Sequence, residues 1–282
     1  MLFYDEKFKR SDDMANFTTL IKICLFLPYF LYLNTMKDNA FEICEGMKKI
    51  IIAIDGPAGS GKSTTARLVA QKLGYIYIDT GAMYRALTLK VINSGIDPND
   101  EKSVAELAEN MKIELLYENG NLKVILDGND VSEKIRTPEV TSLVSIVSAH
   151  PKVREVMVKK QQELGKDGGV VMDGRDIGTV VFPNAQLKIF MTADIKERAK
   201  RRQKELEAQG FKVDLEKLIY EIEERDKFDS SREVGPLKKA DDAIEIDTTN
   251  LTIDEQVDFV LKKAYELINQ NSNEKNNASH HR

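Results

Sequence analysis

Short apolar runs alternate with segments of helical periodicity along the middle of the chain. Residues 50–54 and 75–78 are apolar and rich in β-branched or aromatic side chains, as buried parallel strands are. Residues 63–73 and 79–91 follow them with helical spacing, and Gly74 ends the first helix. The order strand, helix, strand, helix predicts a parallel sheet with helices on both faces.

A different pattern occupies residues 109–164. Residues 113–117 and 122–126 alternate apolar and polar side chains around an Asn-Gly turn, which predicts an antiparallel hairpin. Helical spacing follows at 138–148 and 151–164. Because a hairpin belongs to an antiparallel sheet, we expect this region to be an insertion rather than a part of the parallel sheet.

The parallel pattern returns in three apolar runs, at residues 170–173, 187–191 and 243–246. Open parallel sheets bind their ligands in the crevice at the carboxyl ends of the strands. We therefore expect one crevice to be lined by the charged residues that follow strand ends, which are Asp79, Arg85, Asp173, Arg175 and Asp176.

The last part of the chain is more polar. Residues 196–232 predict two charged helices with an interruption near residue 210, and Asp214 is placed to cap the second helix. A helix after Ile253 is expected to pack on the sheet and to complete a main domain of residues 47–270. Residues 271–282 have almost no apolar positions, and we expect a disordered tail there.

The first 46 residues need a separate interpretation. Residues 20–33 are apolar, but they include Lys22 and Pro28 and are too few to span a bilayer comfortably. This segment resembles the apolar region of a signal peptide, but no convincing cleavage site follows it. Met47 leads directly into the first strand, so we interpret residues 1–46 as an extension that is not physiological. A segment lying on a membrane surface is the alternative.

Composition narrows the class of protein. The chain has 282 residues, of which 42% are hydrophobic and 31% charged, and its net charge is −5. This size is sufficient for a large α/β domain, while the acidic balance argues against a dedicated nucleic-acid binder. Cys24 and Cys44 cannot build a disulfide framework or a Cys/His metal site. We expect a cytoplasmic monomer that binds neither nucleic acid nor a membrane.

The sequence GPAGSGKS at 56–63 matches the phosphate-binding pattern G-x-x-x-x-G-K-[ST], between a strand and a helix. Its glycines let backbone N–H groups point at phosphates, and the helix N-terminus adds positive potential. Lys62 is expected to bridge the β- and γ-phosphates of ATP, and Ser63 to contact Mg²⁺. A plain glycine turn would not explain the Lys-Ser pair. The predicted ATP-binding residues are Gly56, Pro57, Ala58, Gly59, Ser60, Gly61, Lys62, Ser63 and Thr64.

The residues after Asp173 favour phosphoryl transfer over hydrolysis. Arg175 stands where ATP-hydrolysing motors place a glutamate, and no Asn-Lys-x-Asp element for guanine is present. An acceptor phosphate is already an anion and needs no general base, so positioning and electrostatics suffice. A P-loop regulatory protein that binds a nucleotide without an acceptor remains an alternative.

Arginines are frequent after the predicted strands and in the charged segment 196–232. Bidentate guanidinium contacts are a common way to hold several phosphates in line. Two simpler interpretations stay open, because the basic residues of 196–204 could be a solvated helix face and Arg175 could be a structural ion pair. The arginines expected near the crevice are Arg85, Arg175, Arg198, Arg201, Arg202, Arg225 and Arg232.

Residues from about 50 to 268 resemble the bacterial cytidylate kinase family of the nucleoside monophosphate kinase superfamily. The resemblance is carried by IDGPAGSGKST at 54–64, YIDTGAMYRA at 77–86, NGNLKVILDGNDVSEKIRTPEV at 119–140, DGRDIGTVVFPNAQLKIF at 173–190 and EIEERDKFDSSREVGPL from 221. It implies a P-loop NTPase-type parallel sheet flanked by helices, with an antiparallel β and helical insertion and a helical lid at about 198–232. It also implies transfer of the γ-phosphoryl group of ATP to CMP or dCMP with Mg²⁺.

The resemblance implies a role for individual residues. Lys62, Arg85, Arg175 and Arg225 are similar to the catalytic residues of the family, and the three arginines to those that hold the acceptor phosphate. Ser145, Arg154 and Asp176 are similar to residues that read the cytosine, and Asp229 and Arg232 to those that contact the ribose. Thr80 occupies a substrate-side position where a serine is common.

The chemistry of cytosine agrees with the role of Asp176. A carboxylate can accept a hydrogen bond from the exocyclic amine of cytosine, whereas uracil presents a carbonyl there. Asp176 could instead simply neutralise Arg175. A kinase for another monophosphate such as UMP therefore remains an alternative.

Overall fold

The computed structural model of the chain describes residues 49–118, 121–208 and 210–279, so the interpretation of residues 1–46 lies outside it. In chain order the strands and helices are β1 (Ile51–Asp55), α1 (Lys62–Leu73), β2 (Ile76–Asp79), α2 (Thr80–Asn93), α3 (Glu101–Asn110), β3 (Ile113–Glu118), β4 (Asn121–Leu126), β5 (Asn129–Asp130), α4 (Pro138–Val147), α5 (Pro151–Gly165), β6 (Val170–Gly174), β7 (Leu187–Thr192), α6 (Ile195–Ala208), α7 (Leu215–Ser230), β8 (Ile244–Asp247) and α8 (Ile253–Ser279).

The main sheet has five parallel strands in the order β2-β6-β1-β7-β8. Side chains of the central strand β1 alternate between two hydrophobic clusters. Ile52 and Ile54 pack with α1 and α8, whereas Ala53 packs with α2 and the helices near it. The predicted parallel sheet with helices on both faces is confirmed. Both faces are apolar because each is covered.

The insertion contains a second, antiparallel sheet of order β3-β4-β5. The predicted hairpin is confirmed, and β5 adds a short third strand. Val124 and Leu126 of β4 belong to the same hydrophobic cluster as α2, so the insertion shares its core with one face of the main sheet. The helix α3 was not predicted, although Asp100 caps it by accepting a hydrogen bond from Ser103 N (3.2 Å).

The charged segment before β8 forms the helices α6 and α7. The side chain of Asp214 accepts a hydrogen bond from Lys217 N (2.9 Å), which confirms it as the cap of α7. A small cluster of Ala199, Leu218 and Ile222 joins the two helices. The two helices therefore have an apolar contact of their own despite their polar sequence.

The helix α8 is longer than the sequence predicts. Its apolar face is buried on the sheet as far as Ile268, and its backbone stays helical to Ser279. A helix that is already formed extends at little cost without apolar partners, and the disordered tail expected from residue 271 stays a prediction. No described helix, α8 included, combines the length and apolar character needed to cross a membrane.

Candidate active site

A cleft of about 1640 Å³ opens at the carboxyl ends of β2 and β6. Its walls come from the turn after β1, from the start of α2, from the insertion and from the helices α6 and α7. This is the position where the topology of a parallel sheet predicts a ligand crevice. All the predicted substrate-side residues line it, namely Thr80, Arg85, Ser145, Arg154, Arg175, Asp176, Arg225, Asp229 and Arg232.

The turn between β1 and α1 forms one end of the cleft. Gly56 begins the turn where a β-carbon would overlap the backbone oxygen of Met191 on β7, so no larger residue fits there. The helix α1 begins at Lys62, which directs its N-terminus and its free N–H groups towards the cleft. Of the predicted ATP-binding residues, the cleft is lined by Ala58, Gly59, Lys62, Ser63 and Thr64, while Gly56, Pro57, Ser60 and Gly61 are not among the lining residues.

Lys62 is a buried cation at the bottom of this turn. It is 7% exposed, and its Nζ donates a hydrogen bond to Pro57 O (3.1 Å). Burial, and then the positive charge of Arg175, lowers the pKa of Lys62 to about 7. An anion bound in the cleft would reverse this shift, because it would stabilise the charged ammonium.

Asp173 at the end of β6 accepts two hydroxyl hydrogen bonds. Ser63 Oγ donates to Oδ2 (2.7 Å) and Tyr77 Oη donates to Oδ1 (2.7 Å). Burial raises the pKa of Asp173 to about 6, and the nearby charge of Asp79 acts in the same direction. A serine hydroxyl beside a carboxylate is a set of hard oxygen donors that suits Mg²⁺. Tyr77 was not predicted as a site residue.

The three arginines predicted for the acceptor phosphate meet in the cleft. Arg175 Nε donates to Asp229 Oδ2 (2.8 Å), and Arg85 Nη1 donates to Thr141 Oγ1 (3.4 Å). Within the described part of the chain, Arg225 Nε is buried without a hydrogen-bond partner. Burial, and then the charge of Arg175, lowers the pKa of Arg225 to about 9. The centre of the cleft thus holds positive charge that the protein itself does not neutralise.

The opposite end of the cleft contains a buried ion pair between Arg154 and Asp176. Arg154 is only 2% exposed, its Nη1 donates to Ser148 O (3.2 Å), and its guanidinium lies 5.7 Å from the ring centroid of Tyr84. The alternative that Asp176 neutralises Arg175 is wrong, because Asp176 pairs with Arg154 and Arg175 pairs with Asp229.

Asp229 joins two of the cleft arginines. Its carboxylate is 1% exposed and forms ion pairs with both Arg175 and Arg232. Burial alone would raise the pKa of Asp229, but these two guanidinium groups outweigh it and lower the pKa. Arg232 Nη2 also donates to Ser148 Oγ (3.1 Å). Asp229 is therefore ionised, and its carboxylate holds the side chains of Arg175 and Arg232 in place.

The remaining predicted residues divide into two groups. Thr80 Oγ1 donates to Asp173 O (2.7 Å), and Ser145 lines the wall formed by α4. Arg202 lines the cleft, whereas Arg198 and Arg201 lie behind the phosphate-binding turn and donate to its carbonyl groups. Arg198 is buried, so a solvated helix face does not describe it.

The polar residues of the cleft that the sequence analysis missed include Tyr77, Tyr84, Thr141 and Ser148. Tyr84 had a detectable signal, since it lies one turn after Thr80 on α2 and directly before Arg85. Thr141 and Ser148 lie on α4 and at its end, and nothing in the hydrophobic pattern separates them from other polar positions.

A family model described as Cytidylate kinase matches residues 52–266. The chain belongs to the cytidylate kinase family. Among its relatives, the cytidylate kinase of Bacillus subtilis (strain 168) is 57% identical over 215 residues, which are 76% of this chain and 96% of that protein. The cytidylate kinase of Bacillus pumilus (strain SAFR-032) is 57% identical over 217 residues, 77% of this chain and 96% of that one.

The cytidylate kinase family was the one predicted from the sequence, and that prediction is confirmed. Among solved structures, a gluconokinase from Sinorhizobium meliloti 1021 aligns with a TM-score of 0.40 at 15% identity, covering 80% of this chain and 97% of that one. So distant a likeness adds nothing to the family assignment.

Proposed function

We propose that this member of the cytidylate kinase family transfers the γ-phosphoryl group of ATP to CMP or dCMP, giving ADP and CDP or dCDP. The observation that carries the proposal is one cleft with two different ends. A phosphate-binding turn with Lys62 occupies one end, and the Arg154–Asp176 pair occupies the other. Arg85, Arg175 and Arg225 also line this cleft, where two sets of phosphates would meet, and Arg225 has no acidic hydrogen-bond partner among the described residues.

Catalysis follows from positioning and electrostatics. The backbone N–H groups of the turn and Lys62 hold the donor phosphates, and Arg85, Arg175 and Arg225 hold the acceptor phosphate. The acceptor oxygen is already ionised, so no side chain has to remove a proton before it attacks. The positive charge of Arg225, which lacks an acidic partner in hydrogen-bond contact among the described residues, supports this role.

Recognition of the acceptor uses the other end of the cleft. Asp176 accepts a hydrogen bond from the exocyclic amine of cytosine, and Arg154 and Ser145 contact the rest of the base edge. Asp229 and Arg232 contact the ribose, and Thr80 contributes a hydroxyl on the substrate side. The burial of Arg154 and Asp176 supports a role in specificity, because a base that leaves a buried carboxylate unpaired binds poorly.

Ser63 and Asp173 fit a Mg²⁺ ion that accompanies ATP, since they place a hydroxyl oxygen and a carboxylate oxygen 2.7 Å apart beside the phosphate-binding turn. When bound, Mg²⁺ would neutralise part of the charge on the β- and γ-phosphates. The contribution of this chain is to hold Asp173 in place through the hydroxyl of Tyr77.

The test is an ADP-release assay with the full chain, Mg-ATP and each nucleoside monophosphate in turn. We expect fast release with CMP and dCMP, and slower release with UMP. Lys62→Ala should reduce kcat by about 100-fold or more, whereas Lys72→Ala, which removes a half-exposed lysine from the same helix, should not. Release that is indifferent to the acceptor would favour a nucleotide-binding regulator instead, and fastest release with UMP would favour a UMP kinase.

A further inference from the structure

Side chains hold the carbonyl groups of the phosphate-binding turn, and three of the four donors, Arg198, Arg201 and Thr248, do not line the cleft. Four successive carbonyls each accept a hydrogen bond: Pro57 O from Lys62 Nζ (3.1 Å), Ala58 O from Arg198 Nη1 (3.3 Å), Gly59 O from Arg201 Nη1 (3.4 Å) and Ser60 O from Thr248 Oγ1 (2.9 Å). In a peptide group the N–H points away from the C=O. Holding these carbonyls on the outer side therefore keeps the N–H groups available to phosphates.

Arg198 connects this turn to the helix α7. Its Nη1 donates to Ala58 O and also forms an ion pair with Asp226 of α7, while its Nε donates to Ala193 O (3.0 Å). The residue is 8% exposed. The guanidinium is thus fixed between the donor side of the cleft and α7.

Asp226 stands among the acceptor-side residues of α7. It follows Arg225 directly and lies one turn before Asp229. Burial lowers the pKa of Arg175, but the charges of Asp229 and then Asp226 outweigh it and raise the pKa, so Asp226 lies close to Arg175 as well. In the described part of the chain, Asp226 Oδ1 is buried without a hydrogen-bond partner.

We propose that Arg198 and Asp226 are positioning residues that couple donor binding to acceptor binding. Phosphates in the turn favour the carbonyl arrangement that Arg198 holds, and an acceptor phosphate on Arg175 and Arg225 favours the position of α7 that presents Asp226 to Arg198. Each nucleotide therefore stabilises the arrangement that the other needs, and by linkage the effect is equal in both directions. The proposal rests on the proposed function, because it requires two nucleotides in one cleft.

The test compares the affinity of the full chain for the non-hydrolysable ATP analogue AMPPNP, with Mg²⁺, in the absence and presence of saturating CMP, by calorimetry. We expect CMP to lower the Kd of AMPPNP about 5-fold or more in the unmodified protein. Asp226→Asn keeps the size of the side chain but removes its charge, and should bring this ratio to within about 2-fold of unity. The Kd of CMP alone should change less than the ratio does.

Glu224→Gln is the matched control. Glu224 lies two residues before Asp226 on α7 and pairs on the surface with Lys227, so its change removes one negative charge from the same helix without touching Arg198. The coupling ratio should then stay at the value of the unmodified protein. An equal loss in both variants would attribute the effect to the net charge of α7 and overturn the proposal.

Arg198→Lys provides a second route if Asp226→Asn does not fold. Lysine keeps the charge, but it lacks the planar guanidinium group, whose several N–H donors reach Ala58 O, Ala193 O and Asp226 at the same time. We expect the same loss of coupling. A ratio near unity in the unmodified protein, or an unchanged ratio in a folded Arg198 or Asp226 variant, overturns the proposal and leaves the proposed function standing. Failure of the unmodified protein to bind CMP would instead remove the proposed function.

Discussion

The buried pair of Arg154 and Asp176 carries the proposed recognition of the base. Asp176 lines the cleft but is only 4% exposed, and cytosine would offer its carboxylate an amine hydrogen. Uracil would present an oxygen to the same carboxylate. Leaving a buried polar group unpaired costs about 1–3 kcal/mol, and more when the group is charged. The proposed function therefore assigns the discrimination between the two bases to Asp176.

Asp176→Asn should weaken this discrimination. The amide keeps the size of the side chain, loses the charge and can donate a hydrogen bond to the carbonyl of uracil. We expect kcat/KM for CMP to fall by about 10- to 100-fold, and the ratio of UMP to CMP activity to rise. Steady-state kinetics with both acceptors at saturating ATP measures this. An unchanged ratio together with an unchanged KM for ATP would remove Asp176 from base recognition.

The ion pairs of the site illustrate what a sequence can and cannot predict. The residues themselves were found from strand ends and from the family resemblance, and all of them line the cleft. The sequence analysis did not predict which acidic residue pairs with which arginine. Arg175 has aspartates on both sides in the sequence, yet it pairs with Asp229, which is 54 residues away. Which carboxylate reaches which guanidinium depends on where α7 packs, and a single sequence does not contain that distance.

At the scale of elements, the segment that follows α7 packs directly against the ion pair of Arg154 and Asp176. Gly235 has a φ of 62°, and a β-carbon there would overlap both Arg154 Nη2 and Asp176 Oδ2. The backbone thus approaches the ion pair as closely as it can. Only glycine combines this conformation with this contact at low cost.

Gly235→Ala should therefore disturb the acceptor end of the cleft. We expect the KM for CMP to rise about 10-fold or more, because the methyl group displaces the Arg154–Asp176 pair, while the KM for ATP stays within about 2-fold. Gly95→Ala is the matched control, since Gly95 has a φ of 65° and no atom within 4 Å of an added β-carbon. It should lose only about 1 kcal/mol of stability. Equal kinetic effects in both variants would attribute the change to backbone strain.

The boundaries of the strands could be predicted to within about a residue or two, because apolar β-branched runs between turn residues are a strong signal. The helix α3 was overlooked although its signal is present, since Val104, Ala105 and Ala108 lie on one face and Asp100 is placed to cap it. The end of α8 is harder to predict. Polar residues can continue a helix that begins on a packed face, so composition alone does not locate where it stops.

At the scale of the whole molecule, the distribution of charge matters more than its sum. The chain carries a net charge of −5, yet its cleft gathers buried cations that have no equal number of acids beside them. Burial lowers the pKa of Lys62 and of Arg225, and an anionic ligand in the cleft would stabilise their charged forms. The expectations of a monomer, of a cytoplasmic location and of an extension 1–46 that is not physiological stay predictions.

The lowered pKa of Lys62 predicts that the protein takes up a proton when it binds a nucleotide. With a pKa of about 7, Lys62 is mostly neutral at pH 8 in the free protein, and phosphates beside it raise that pKa and recharge it. Binding of AMPPNP with Mg²⁺ at pH 8 should therefore be accompanied by proton uptake at this residue, and by much less uptake at pH 6, where Lys62 is already charged. Calorimetry in two buffers of different ionisation enthalpy measures the uptake. Lys62→Arg stays charged at both pH values and should abolish the difference, so an equal uptake in this variant would show that the proton binds elsewhere.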